Sequence, residues 1–170
     1  MKWAKENNIT TMSEFWIKCP YPEFLLDIME MINYGSDKDL RLFACWCAKQ
    51  TFMESTNIRC INAVGVAERF ANNKATKKEL NFAFNSVSCY QEGVENNKGK
   101  ILSRDAKMAQ IADKTTWVPW AAARGATWKD VRSGAWATVK SDQTIDRTFQ
   151  ADKLRNMFNN PFVFGKEDKI

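Results

Sequence analysis

Apolar residues recur along this chain at intervals of three and four almost without interruption, and that rhythm limits its fold more than anything else. Leu40, Phe43, Ala44, Cys47 and Ala48 fall at i, i+3, i+4, i+7 and i+8, one stripe of an α-helix. Leu25, Ile28, Met29 and Ile32 make a second stripe, and Leu80, Ala83, Phe84, Val87 and Tyr90 a third. No segment alternates apolar and polar residues long enough for a half-buried strand, and no Asn-Gly turn joins two such runs. The expectation is an all-α fold, a single compact bundle of seven to eight short helices.

Local signals mark the helix ends. Thr11 or Ser13 caps a short helix over Thr11 to Cys19, anchored by Phe15 and Trp16. Pro22 suits the first turn of the next helix, which Gly35 stops. Ser36 caps a third, with Asp39 near the positive end of its dipole. A fourth is expected over Thr56 to Ala71, with Ile58, Ile61, Gly65 and Phe70. Thr76-Lys77-Lys78-Glu79 is a capping box opening a fifth. Glu95 to Lys100 reads as the clearest loop. Beyond it, Ser103 caps a sixth helix with Ala106, Ala109 and Ile111, and Pro119 opens a seventh reaching about Lys140. The last runs from Thr144 to Phe158 with Ile145, Phe149, Leu154 and Met157, and Asn160-Pro161 ends it. The reading is one domain over residues 1–164, with a subdomain break near 95–101 and a loose tail at 165–170.

Several functions are disfavoured. The chain has 170 residues and no histidine, which removes the commonest general base and metal ligand and every Ser-His or Cys-His scheme. No phosphate-loop, nucleophile-elbow or EF-hand signature is present. Asp142 and Asp146 share a helical face, but two carboxylates are too few for a cation cage. A non-enzymatic protein with no cofactor and no metal is expected. The five cysteines are an odd number, and several sit among helical apolar residues, where a thiol acts as a small hydrophobe. No apolar run is long enough to span a membrane, and none opens the chain as a signal peptide would. A cytoplasmic location, that of the host if the protein is phage-encoded, is therefore expected.

One constellation stands apart from core building. Trp120, Arg124, Trp128, Arg132, Trp136 and Lys140 follow one another at intervals of four, an aromatic and cationic ladder on the expected seventh helix. Each step drifts by about 40° around a helix, so only three successive members can face one ligand. Two guanidinium forks about an indole suit a phosphate beside a stacked base. The same residues also fit plain packing, with the arginines running along buried rings. The charge lies in the same region. From Lys98 to Arg155 there are twelve Lys and Arg against six Asp, a local excess of +6 within a total of +5. Such asymmetry points to an anionic partner. Arg104 and Lys107, at i and i+3, are candidates to join the ladder in one basic surface. The ladder helix also carries small residues at Ala122, Gly125, Ala126, Ser133, Gly134 and Ala137. Helical glycines cost about 1 kcal/mol each relative to Ala, so another helix should approach closely there, from this chain or from a second copy in a homo-oligomer.

Three stretches, Arg41 to Phe52 (RLFACWCAKQTF), Ile61 to Ala83 (INAVGVAERFANNKATKKELNFA) and Gln150 to Phe162 (QADKLRNMFNNPF), resemble an uncharacterised helical family of bacteria and phages. Its members read roughly LRLFAC, then AVEVAERYA with AT and EEL following, then QA, LLR, IF and NPF. The blocks stand in the same order here. An Ala-rich segment studded with Trp and Arg, similar to Ala121 to Ala137, lies between the second and the third. This chain is poorer in Ala there and richer in Lys and Asn. The resemblance implies a helical fold and a phage association; it brings no activity and no catalytic residue.

The functional expectation is a binding protein that holds an anionic small molecule of the nucleotide type on the ladder helix. With a phage origin, sequestering a host immune signalling nucleotide as counter-defence is a coherent role. The alternative is a protein-interaction module: an inhibitor of a host defence protein, an immunity-type partner or a virion component. Trp and Arg are also favoured anchors of such interfaces.

Overall fold

The computed structural model describes residues 2–52, 58–98, 123–127, 129–141 and 147–162, the side chains of 88–98 and 141 excepted. The fold is all-α, with no strand among the described residues. The helices are α1 (Lys2–Glu6), α2 (Met12–Lys18), α3 (Pro22–Met31), α4 (Asp37–Gln50), α5 (Ile58–Ala71), α6 (Lys77–Lys98), α7 (residues 123–127), α8 (Val131–Ser141) and α9 (Arg147–Met157). The chain divides into two compact units, Met1–Gly35 with Ile145–Ile170, and Ser36–Thr144. The expected sixth helix from Ser103, the Pro119 start and the 165–170 tail lie outside the described residues, as do Asp142 and Asp146.

In the first unit, Thr11 caps α2: its hydroxyl accepts from the Glu14 amide at 3.2 Å. Pro22 occupies the first turn of α3, as read. The helix stops earlier than Gly35, however. Asn33 takes the left-handed conformation at φ 51°, and the Tyr34 amide donates back to the Met29 carbonyl at 2.7 Å. Gly35, at φ 91°, turns the chain where a Cβ would press on Met29 and Phe158. α3 packs on α9, and Trp16, Leu25, Met29 and Leu154 are fully buried. α1 has no counterpart in the sequence reading, and Phe149, expected in the core, is exposed.

In the second unit, α5 packs on both α4 and α6, and α8 packs on α4. The Ser36 hydroxyl accepts from the Asp39 amide at 3.1 Å, and Thr76 and Glu79 close their capping box. α5 reverses one expectation. Ile58 and Ile61 face outward, and the neighbouring stripe of Cys60, Ala63, Val64, Ala67 and Ala71 is buried. Small side chains let α5 approach two helices at once, which two isoleucines would prevent. α6 continues as helix through residues 95–98, so the loop read from Glu95 to Lys100 is corrected over those residues; 99 and 100 lie outside the described residues.

The described cysteines agree with their reading as small hydrophobes: Cys19, Cys45, Cys47 and Cys60 are buried thiols that form no disulfide with one another. Burial pushes the Cys45 thiol up to about 12 and the Cys60 thiol to about 11, so neither forms a thiolate readily. No helix among the described residues is long and apolar enough to cross a membrane.

Candidate functional site

The ladder helix is not one helix. α7 ends at 127, Lys129 and Asp130 form a bend, and α8 begins at Val131. Asp130 causes the break by capping α8. Its carboxylate accepts from the Arg132 amide at 3.1 Å and from the Ser133 hydroxyl at 2.6 Å. These bonds, that to Ser133 above all, hold the carboxyl below the usual carboxylate range. At the other side of the bend, the Thr127 hydroxyl donates to the carbonyls of Ala123 and Arg124, both at 3.0 Å.

The two halves fold onto each other through the small residues. A Cβ on Gly125 would collide with the Thr138 hydroxyl, lie 2.8 Å from the Gly134 carbonyl oxygen and 3.1 Å from the Thr138 nitrogen. The close approach expected from the glycines is thus met by the other half of the same predicted helix. Gly125, Ala126 and Gly134 are buried within the chain, leaving Ser133 exposed and Ala137 half-buried; Ala122 lies outside the described residues.

Trp120, Trp128, Arg104 and Lys107 also lie outside the described residues. Arg124 is half-buried, with its guanidinium over the Phe84 ring of α6 at 5.5 Å. Arg132, Trp136 and Lys140 stay on one outward row of α8, and the Lys140 ammonium sits 4.4 Å from the Trp136 ring centroid. Arg124 and Arg132 therefore stand on different helices, and a continuous six-residue surface is not what this segment forms.

The second unit builds a different basic feature, a cavity of about 400 Å³ between the start of α4, the end of α5, the start of α6 and the bend before α8. Lys38, Arg41, Lys77 and Lys129 line it, against one lining carboxylate, Asp37. Phe70, Asn73 and Asn81 complete the polar and aromatic wall. Arg41 is 5% exposed. Its guanidinium donates to the Ala126 carbonyl at 2.9 Å and stacks 5.3 Å from the Phe70 ring centroid. Ala126 lies at the end of α7, where helical carbonyls lack partners in their own helix. One side chain thereby fixes both a helix end and the cavity floor. Burial lowers the affinity of Arg41 for its proton, yet a guanidinium stays charged at neutral pH. Lys38, Lys77 and Lys129 are exposed, free to swing toward a ligand.

Neither periodicity nor spacing along the sequence assembles this group. Two signals pointed to it. Arg41 interrupts an otherwise apolar buried set in α4. Lys38, Lys77 and Lys78 stand in the first turns of α4 and α6, where cations oppose the helix dipole; such a local conflict is expected at sites kept for another purpose. The chain matches no family model, no curated protein and no solved structure.

Proposed function

We propose that the protein is a non-enzymatic binding protein for an anionic, phosphate-bearing small molecule of the nucleotide type, held in the Arg41 cavity of the second unit. The observation that carries this reading is the convergence of Lys38, Arg41, Lys77 and Lys129 on one cavity of about 400 Å³ with a single carboxylate. That volume lies within the range of ordinary small-molecule sites. The lysines supply charge at adjustable positions for phosphate oxygens. Asn73 and Asn81 offer donors and acceptors for a base or a sugar, and Phe70 offers a ring face, the other face of its contact being taken by Arg41. A signalling nucleotide sequestered in counter-defence fits this chemistry.

Calorimetry against cyclic and linear nucleotides, with inorganic phosphate as the minimal probe, tests the reading. Lys77→Ala and Lys129→Ala are each expected to weaken binding about tenfold, the scale of one charge-assisted contact, and added salt should weaken it further. Absence of heat with every probe, or unchanged affinity in both variants, overturns it.

A second reading, a protein-interaction module, rests on the α8 row of half-buried Arg132 with exposed Trp136 and Lys140. A stoichiometric host-protein complex that survives high salt and is lost in Trp136→Ala would favour it over the first.

A further inference from the structure

We propose that the first unit carries a separate site for a small organic cation, an ammonium group bearing alkyl substituents. The site is a cavity of about 640 Å³ lined by α1, α2, α3 and the turn before α3. Its frame is a set of crossed rings. Trp3 stands edge to face with Phe15, centroids 5.7 Å apart at 88°, and with Tyr21, 6.1 Å apart at 89°. Tyr21 in turn meets Phe24 at 5.5 Å and 65°. These contacts join Trp3, Phe15, Tyr21 and Phe24 into one aromatic wall of the cavity, and an aromatic face attracts a cation that reaches it.

The charges of the wall agree. Glu6, Glu23 and Asp27 line the cavity against a single lining cation, Lys2. Lys2 reaches only Glu6, at 3.7 Å on the exposed rim, a contact of little strength. Behind the rings, Arg147 holds one oxygen of Glu23 at 2.5 Å. The other oxygen, Oε2, is buried and has no hydrogen-bond partner among the described residues. A buried carboxylate oxygen left in this state is costly, and a cation lodged among the neighbouring rings offsets that cost through space.

Other ligand classes fit less well. An anion meets three carboxylates. A bare metal ion keeps its water rather than exchange it for a wall of rings and aliphatic side chains. A neutral apolar molecule fills the space but leaves the negative field unanswered. An alkylated ammonium carries its charge on a weakly hydrated surface, and the volume leaves room for an attached chain beside Ile28 and Met31.

The test compares choline with its uncharged carbon isostere, 3,3-dimethylbutan-1-ol, by calorimetry on the full chain. Choline is expected to bind, the alcohol at least about tenfold more weakly, and Trp3→Leu is expected to reduce choline affinity about tenfold. Asp27→Asn, a near-isosteric change on an exposed residue, should reduce choline binding several-fold and leave the alcohol unchanged, with circular dichroism to verify that the variant is folded. Equal binding of the two probes, no binding of choline, or choline binding unmoved by Asp27→Asn overturns the proposal. The phosphate-bearing ligand of the second unit plays no part in this experiment, so the two sites stand or fall separately.

Discussion

The two units use arginine in opposite ways, and the difference sets the sign of their cavities. In the first, Arg147 pairs with Glu23 at 2.5 Å, and Arg155 combines Asp152 at 2.8 Å with the backbone carbonyls of Trp16 and Cys19 at the end of α2. Both guanidinium groups are matched with carboxylates, and one of these, Glu23, lines the aromatic cavity beside Glu6 and Asp27. In the second, Arg41 is deeply buried and reaches the Ala126 carbonyl and the face of Phe70. Three further cations then line its cavity against Asp37 alone. A chain with net charge +5 thus holds one negative and one positive recess. Net charge says little about a site until the partners of each buried ion are known.

The comparison breaks first at the arginines themselves. Arg41→Ala removes a buried stem, leaves the Ala126 carbonyl without its donor and opens a void, so a loss of about 3 kcal/mol is expected. Arg155→Ala should cost about 2 kcal/mol, because its side chain is less deeply buried, at 17% exposure. Urea unfolding followed by circular dichroism measures both. If Arg155→Ala proves the more costly, the deeper burial of Arg41 is not what holds the second unit together.

A smaller change sharpens the contrast inside the second unit. Gly→Ala in an open helix is expected to stabilise by about 1 kcal/mol, and Gly65 fits that case, since its new Cβ would meet only the Arg69 guanidinium at 3.9 Å. Gly125→Ala should instead destabilise by about 2 kcal/mol, because the Cβ meets the Gly134 carbonyl at 2.8 Å and backbone cannot step aside as a side chain does. The same change displaces the Ala126 carbonyl that Arg41 holds, so phosphate binding should weaken while choline binding does not. Thermal melts with the two titrations check the pair.

Asp130→Ala tests the break in the ladder at about 1 kcal/mol, the usual worth of a cap. Hydrogen bonds lower the folded-state pKa of this carboxyl, so its contribution is complete above the ordinary Asp value and fades as pH falls through the lowered one. The difference in stability between wild type and variant should be full at neutral pH and shrink as the pH falls below the ordinary Asp range. A difference that persists in strong acid would mean that the loss comes from packing and not from the ionised cap.

How far these features were legible follows from where their signals lie. Caps are local, and Thr11, Ser36 and Thr76 marked helix starts that the structure keeps. The stripe on α5 was not legible from periodicity alone, because Ile58 and Ile61 and the Cys60, Ala63, Val64 and Ala67 set both recur at helical spacing. Which one turns inward depends on the close approach of α4 and α6. The ladder was real as a spacing and wrong as one helix. Asp130 followed by Ser133 is itself a helix-start signal, and Gly125 and Gly134 showed that something packs closely without showing that each packs against the other's helix. The basic cavity was out of reach, since Lys38, Arg41, Lys77 and Lys129 come from separate elements and only tertiary packing brings them together.

The smallest expected effect concerns the piece of the ladder that survives. Trp136 is 39% exposed with Lys140 above its ring at 4.4 Å, an i, i+4 pair at the surface worth no more than about 0.5 kcal/mol. Lys140→Ala should therefore leave stability within about that amount of wild type and leave binding in the Arg41 cavity untouched, because Lys140 does not line it. If Lys140→Ala instead costs several times this amount, the pair belongs to the packing of α8 and the protein-interaction reading loses its main support.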